Sequence, residues 1–176
     1  MEDIINEKKQ TELPKSLNFT TNKHLRINLP EPTFISNTSI ENALFSRRSI
    51  RIFKKENLNL SDISQLAWAT QGINDPRGFR TSPSAGAFYP LNLYLLSINI
   101  NNLDKAIYKY KPEEHELIKI LDNANIENFY KTINQYSIKN PAAIFIMSAK
   151  LEQIIASYGT YGKKYLYMEL GHATQN

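Results

Sequence analysis

From residue 91 to 98 the chain runs Leu-Asn-Leu-Tyr-Leu-Leu-Ser-Ile, and apolar side chains this dense predict a buried β-strand. Residues 106–110 predict a second, shorter strand, and Pro112-Glu113-Glu114-His115 a turn. The following ELIKIL returns as a strand or a short helix, and together these pieces suggest a hairpin. Residues 142–149 (AAIFIMSA) are apolar throughout and follow Pro141, which predicts a strand central in its sheet. Helical spacing appears elsewhere. Ile40, Ala43 and Leu44 stand at i, i+3, i+4, predicting a short helix that opens near Ser39. A second helix is expected with Ser61 as its N-cap and Asp62 in the first turn, where the helix dipole favours negative charge. Ile63, Leu66, Ala67 and Ala69 form its inward stripe, Trp68 borders that stripe as a core aromatic, and Gly72 stops the helix.

A third helix is predicted over residues 126–133, and helices interrupted by Gly159 and Gly162 from Leu151 onward. Residues 1–38 are polar, carry Pro14, Pro30 and Pro32, and read as an arm or wrapping segment; residues 39–176 read as one domain. Helices come first, then strands and helices mixed, which is α+β rather than a regular βαβ alternation.

Composition narrows the function classes. A chain of 176 residues with 41% hydrophobic side chains is long enough for one domain with a proper core. It has no Cys, which excludes disulfides, thiolate metal sites and cysteine nucleophiles. His24, His115 and His172 lack metal-ligand spacing, so no metal site is expected. The net charge of +4 is spread over lysines throughout, and no basic stretch is interleaved with aromatics, so no nucleic-acid partner is expected. No apolar run approaches the ~18 residues of a membrane helix, and the charged start lacks an apolar signal core. No membrane partner and a cytoplasmic location are expected.

Two stretches carry candidate chemistry. Arg47-Arg48-Ser49-Ile50-Arg51-Ile52-Phe53, read as extended, turns Arg47, Ser49 and Arg51 to one face while Ile50 and Ile52 anchor the other in a core. Planar guanidiniums beside a hydroxyl suit a phosphate monoester; the alternative is a solvated basic loop. Thr81-Ser82-Pro83-Ser84-Ala85-Gly86-Ala87 is built of small residues just before the strand at 91. Small side chains let backbone approach a flat ligand closely, and the alternative is an ordinary turn between helix and strand.

SRRSIRIF, LSDISQLAWATQGI, PSAGAFYPLNLYLL and YMELGHATQN stand in an order and spacing that resemble flavin-dependent nitroreductase-fold proteins. The AIYKYKPEEHEL segment resembles in particular the SagB-type dehydrogenase branch, which includes azoline oxidases. The resemblance runs from about Leu29 to the last residue. It implies a mainly antiparallel sheet flanked by helices, and FMN held non-covalently at the interface of a homodimer. It implies that Arg47, Ser49 and Arg51, with Arg48 assisting, hold the FMN phosphate and ribityl end. Pro83, Ser84, Ala85 and Gly86 would lie against the ring, with Gln175 and Asn176 nearby. His172 is the family's helix histidine, either a satisfied imidazole or a ligand contact. Electrons would pass as hydride through flavin N5, with NADH or NADPH as donor and a small molecule or modified peptide as substrate.

Azoline oxidases of the branch use a Lys-Tyr pair to remove a proton, and the candidates here are Lys164, Tyr165 and Tyr158. Relatives continue past the position of Asn176, so a missing C-terminal part is expected, which would leave Leu166, Met168 and Leu170 short of partners. Beside the oxidoreductase stand two other readings. One is a non-catalytic fragment or partner subunit that binds flavin weakly or not at all. The other is a phosphoprotein- or nucleic-acid-binding module, motivated by net charge and the arginines alone.

Overall fold

Alternating burial along β2 (Leu91–Ser97) and β3 (Ala106–Lys111) organises the molecule, a computed structural model that describes residues 25–122, 129 and 140–176. Leu91, Leu93 and Leu95 of β2 and Ala106, Tyr108 and Tyr110 of β3 are all buried. These strands join β1 (Arg26–Asn28), β4 (Glu116–Asp122) and β5 (Ala143–Ala149) in a five-stranded antiparallel sheet, ordered β1-β4-β3-β2-β5. Leu95 faces Tyr108 on one side and Phe145 on the other. The expected hairpin is present, and ELIKIL is its strand rather than a helix.

One face of the sheet carries the described helices. Ile63 and Ala67 of α2 (Leu60–Gln71) pack with Leu93, Leu95 and Tyr108. Helix α3 (Glu152–Tyr158) and α4 (Gly162–Gln175) bring Ile154, Leu166 and Ala173 onto Leu91 and Met147. A single 3-10 turn at Gly159–Tyr161 joins these two helices. Gly159 has φ +55, open only to glycine at little cost, and a Cβ on Gly162 would stand 2.7 Å from the Ile154 carbonyl. Both interruptions expected in this region are therefore real, one for conformation and one for close approach.

Several expectations are corrected. Among the described residues strand β5 is an edge strand, not a central one. Its apolar residues are only half-buried, and edge position is decided by which backbone groups pair, which leaves no mark on hydrophobicity. Helix α2 begins two residues early, with Asn59 as N-cap: the Asp62 carboxylate reaches back to accept from the Asn59 N–H at 2.8 Å. Its buried stripe is Ile63, Ser64, Ala67 and Gln71, while Leu66 is 48% exposed. Trp68 is half-buried, packed edge-on to Phe34 at 5.3 Å rather than in the core. Leu166 does find partners, in the cluster with Leu91 and Ile154. The helix expected over residues 126–133 lies outside the described residues.

A polar pin closes the far end of the sheet. His115 ends the β3–β4 turn at φ +48, and its carbonyl accepts from Leu29 N–H at 3.1 Å. Its Nδ1 lies 2.8 Å from the Tyr110 hydroxyl, and its Nε2 lies 2.7 Å from Ser64 Oγ and 3.1 Å from the Pro30 carbonyl. Ser64 Oγ donates to that same carbonyl. Burial pushes the Tyr110 phenol up, so it donates to Nδ1, and the tautomer with hydrogen on Nε2 satisfies every group. The pin ties the segment before Pro30 to α2 and the hairpin. Ser64→Ala should therefore lower stability by about 1–3 kcal/mol, the cost of a buried polar partner removed, as read in urea unfolding.

Candidate functional site

The small-residue turn is fixed from both sides. Toward α2, Thr81 N–H donates to Gly72 O at 2.9 Å, Thr81 Oγ1 to Trp68 O at 3.0 Å and Ser82 Oγ to Thr70 O at 2.9 Å. Arg80 crosses beneath, donating to Gln71 Oε1 at 2.9 Å and lying 4.7 Å over the Tyr89 ring. Ala85–Ala87 then makes one 3-10 turn in which Gly86 has φ +62. A Cβ there would stand 2.9 Å from both the Phe88 ring and the Tyr158 hydroxyl.

Helix α4 closes against this turn. Pro83, Ser84, Ala85, Tyr165, Met168, Glu169 and His172 line a cavity of ≈ 280 Å³. Glu169 is 2% exposed. Its Oε2 accepts from Ser84 Oγ at 2.6 Å, and Ser84 Oγ accepts in turn from Tyr89 N–H at 3.0 Å. Its Oε1 is buried with no partner among the described residues. Burial pushes the Glu169 carboxyl above its ordinary 4.5, opposed by the Ser84 hydrogen bond and the charges of Arg80 and His172. The wall is thus apolar except for one carboxyl held by a serine, the Tyr165 hydroxyl and one exposed imidazole.

The cavity brings together Pro83, Ser84, Ala85 and Tyr165, with Gly86 and Tyr158 directly behind. The Tyr158 ring lies edge-on to Tyr165 at 5.0 Å and to Phe88 at 6.2 Å. Asn176 joins the same region: its amide nitrogen lies 3.1 Å from Ala69 O, 3.3 Å from Thr81 O and 3.2 Å from Ser82 Oγ. Gln175 is exposed at the end of α4. Lys164 is exposed, with Nζ 5.2 Å over the Tyr161 ring, and does not line the cavity. Glu169 escaped the sequence reading, although a charged residue three before Ala173's predecessor and three after Leu166 breaks an otherwise apolar stripe.

Arg47, Arg48, Ser49 and Arg51 follow α1 (Ile40–Ser46) in exposed, irregular chain and do not line this cavity. Arg48 Nη1 donates to the carbonyls of Phe45 at 2.9 Å and Arg47 at 2.7 Å. The side chains of Arg47 and Arg51 have no hydrogen-bond or ion-pair partner among the described residues. Ile50 and Ile52, expected as core anchors, are 70% and 90% exposed. The stretch pairs with no strand, and α1 buries no residue, so this surface of the chain gives the isoleucines nothing to anchor on. Among the described residues no cluster of three or more His, Asp or Glu could hold a metal ion, and no helix is long and apolar enough to cross a membrane.

The fold occurs in known proteins. Residues 44–176 match the profile of the Nitroreductase family, and the chain belongs to that family. It is 35% identical over 153 residues to a Methanocaldococcus jannaschii protein classed as a nitroreductase, covering 86% of this chain and 76% of that one. A Ralstonia eutropha structure classed as a nitroreductase superposes with a TM-score of 0.71 at 23% identity, covering 85% of this chain and 68% of that chain. An Anabaena variabilis structure of the same class gives 0.71 and 23%, covering 86% of this chain and 32% of that chain. A chain of the Escherichia coli microcin synthetase McbBCD complex, solved with truncated pro-MccB17 bound, gives 0.59 at 25%, covering 84% and 60%.

Two outcomes follow from this geometry. Gly86→Ala should cost about 1–2 kcal/mol in chemical denaturation, because an alanine at φ +62 is strained even where its neighbours give way. Glu169 has a folded pKa raised above its unfolded value, so its contribution is most favourable below the unfolded value and is lost as pH rises through the folded one. Glu169→Gln removes that titration. Its melting temperature relative to the parent should therefore rise between mildly acid and neutral pH, as read by circular dichroism at each pH; a constant difference would refute the assignment.

Proposed function

We propose that this chain is a cytoplasmic, FMN-dependent oxidoreductase that acts as a homodimer, with hydride passing through flavin N5. The observation that carries the reading is the family match over residues 44–176, which takes in both the Arg47–Arg51 cluster and the Ser84–Gly86 turn. The residues present suit the cofactor. Two guanidiniums without a partner among the described residues match the geometry and charge of a phosphate monoester. A side chain at Gly86 would meet Phe88 and Tyr158, and the Glu169 carboxyl bonded to Ser84 keeps one buried oxygen without a partner among the described residues.

FMN when bound supplies the redox chemistry, and NADH or NADPH the electrons. The chain's part is to grip and orient. Arg47 and Arg51, with Ser49 and Arg48, hold the phosphate end, and Ser84, Ala85 and Gly86 bed the ring behind Pro83. The amide nitrogen of Asn176 is engaged with three protein oxygens, which leaves its carbonyl oxygen for a ligand, alongside Gln175. Tyr165 on the cavity wall and Tyr158 behind it are the better placed of the proton-handling candidates; Lys164, stacked on Tyr161 at the surface, is the weaker.

Among the described residues the arginines do not line the cavity at the turn, and a pocket built from two chains would account for both. The exposed Ile40, Leu44, Phe45, Ile50 and Ile52 supply apolar surface for that dimer to cover. The substrate is a small molecule or a modified peptide. Likeness to a chain of a synthetase complex with a truncated pro-peptide bound supports the peptide alternative and the SagB-type, azoline-oxidising branch. The same likeness to a multi-subunit assembly favours a second reading, a partner subunit that binds flavin weakly or not at all.

The test is FMN retention by purified protein, read from the flavin band at about 450 nm, a property the cofactor brings with it. Arg47→Ala with Arg51→Ala should weaken retention roughly a hundredfold or more, since two charge-assisted contacts to phosphate are lost. Unchanged retention would overturn the phosphate assignment. A parent protein that stays colourless in excess FMN would leave the second reading standing.

A further inference from the structure

Glu169 is the charged member of the buried stripe Gly162, Leu166, Glu169 and Ala173 on α4. A leucine there would bury without cost, whereas a carboxylate loses its hydration and recovers it only through hydrogen bonds. The described residues supply one such bond, from Ser84 to Oε2, and none to Oε1. The arrangement is directional. Ser84 Oγ accepts from Tyr89 N–H, so its single hydrogen is committed to Glu169 and cannot serve a ligand. Oε1 is a buried acceptor without a partner among the described residues, on a side chain that lines the cavity together with Pro83, Ser84, Ala85, Tyr165, Met168 and His172. The terminal carboxyl torsion is broad, so a rotation can turn Oε1 toward an incoming group while the rotatable Ser84 hydroxyl follows Oε2. The cavity beside Trp68 offers no comparable group, because His115 on its wall is already satisfied at both ring nitrogens.

The walls select the ligand's chemistry. A polyol would need several polar partners, and beside Glu169 the side chains of this wall provide only the exposed His172 and the Tyr165 hydroxyl. A flat, largely apolar ring with one polar edge fits proline, alanine, tyrosine and methionine surfaces and leaves a single donor to satisfy. We propose that Glu169, held by Ser84, recognises an N–H group on the edge of a flat heterocyclic ring bound in this cavity. The inference rests on the flavin reading only in part. A flavin ring carries such an edge, and so does a heterocyclic substrate.

The probe is lumichrome, a flavin-type ring with neither ribityl chain nor phosphate, compared with its N1,N3-dimethyl derivative, in which both N–H groups are blocked. Binding to the full chain is followed by fluorescence titration at mildly alkaline pH, with FMN titrated in parallel. The parent protein should prefer lumichrome by roughly tenfold or more, the value of a charge-assisted hydrogen bond to a buried carboxylate. Glu169→Leu should abolish the preference even where the orphaned Ser84 hydroxyl lowers the melting temperature, and Glu169→Gln, which keeps shape but not charge, should reduce it severalfold. Equal binding of the two rings by the parent, no binding of either, or a preference unchanged in Glu169→Gln would overturn the proposal. A melting temperature that falls in Glu169→Leu while the preference persists would overturn it too, as the mark of a purely structural carboxyl. Lumichrome preference without FMN binding would remove the FMN reading and keep this one; FMN binding without lumichrome preference would do the reverse.

Discussion

The close approach of α4 to the turn at Ser84–Gly86 is the constraint on which the site depends. Helix and turn come near enough for their side chains to bond directly, and both also pack closely on α3: Gly162 has no room for a Cβ beside the Ile154 carbonyl, and Gly86 none beside Phe88 and Tyr158. At that distance Ser84 reaches Glu169 directly, at 2.6 Å, and Ala85 joins the apolar cluster of Leu91, Ile154 and Leu166. The contact is extended at the chain's last residue, where Asn176 bonds to Ala69, Thr81 and Ser82 and so ties the end of α4 to α2 and the turn together. A cavity made this way has walls on two packed elements, the turn and α4, and its shape is as rigid as the packing.

Electrostatics divides the chain's arginines into two kinds. Arg80 is enclosed: it donates to Gln71, lies over Tyr89 and approaches Glu113 at 3.4 Å. Its charge is used within the fold, where it also draws Glu169 toward ionisation against the pull of burial. Arg47 and Arg51 are solvated and unpaired among the described residues. Surface cations of this sort add little to stability. Retaining both beside exposed isoleucines makes physical sense when an anion and an apolar partner surface arrive together.

Legibility in the sequence followed the physics of each feature. Strands β2, β3 and β4 were readable because alternation at Leu91, Leu93, Leu95 and at Ala106, Tyr108, Tyr110 reports burial directly, and Pro112 to His115 punctuates the turn. The edge position of β5 was not readable, since pairing partners are set by topology rather than by side chains. The cap of α2 was misplaced because Ser61 and Asn59 are both good caps, and Asp62 chose between them by reaching back three residues. The small-residue turn was legible as a place of close backbone approach, which Gly86 at φ +62 occupies. Glu169 was not, because its neighbours Tyr167 and Met168 are exposed and the buried stripe of α4 holds only four positions, too few to make one carboxyl stand out. The cluster at Arg47 was legible as chemistry but not as geometry: alternation predicts which residues share a face, and says nothing of whether that face belongs to one chain or two.

That last distinction changes the energetics of the proposed site. If phosphate grip and ring bed came from one chain, cofactor affinity would be a property of the monomer. In the proposed dimer the grip and the bed belong to different chains, so a bound cofactor spans the interface and its affinity is linked to association. A ligand that binds only the assembled form stabilises it by RT ln(1 + [L]/Kd), about 2.7 kcal/mol at a hundredfold excess over Kd. The apolar side chains at Ile40, Leu44, Phe45, Ile50 and Ile52 then need not drive assembly unaided. Their exposure in the single chain, an aggregation hazard if permanent, becomes the reserve of burial that makes subunit pairing and cofactor capture one event.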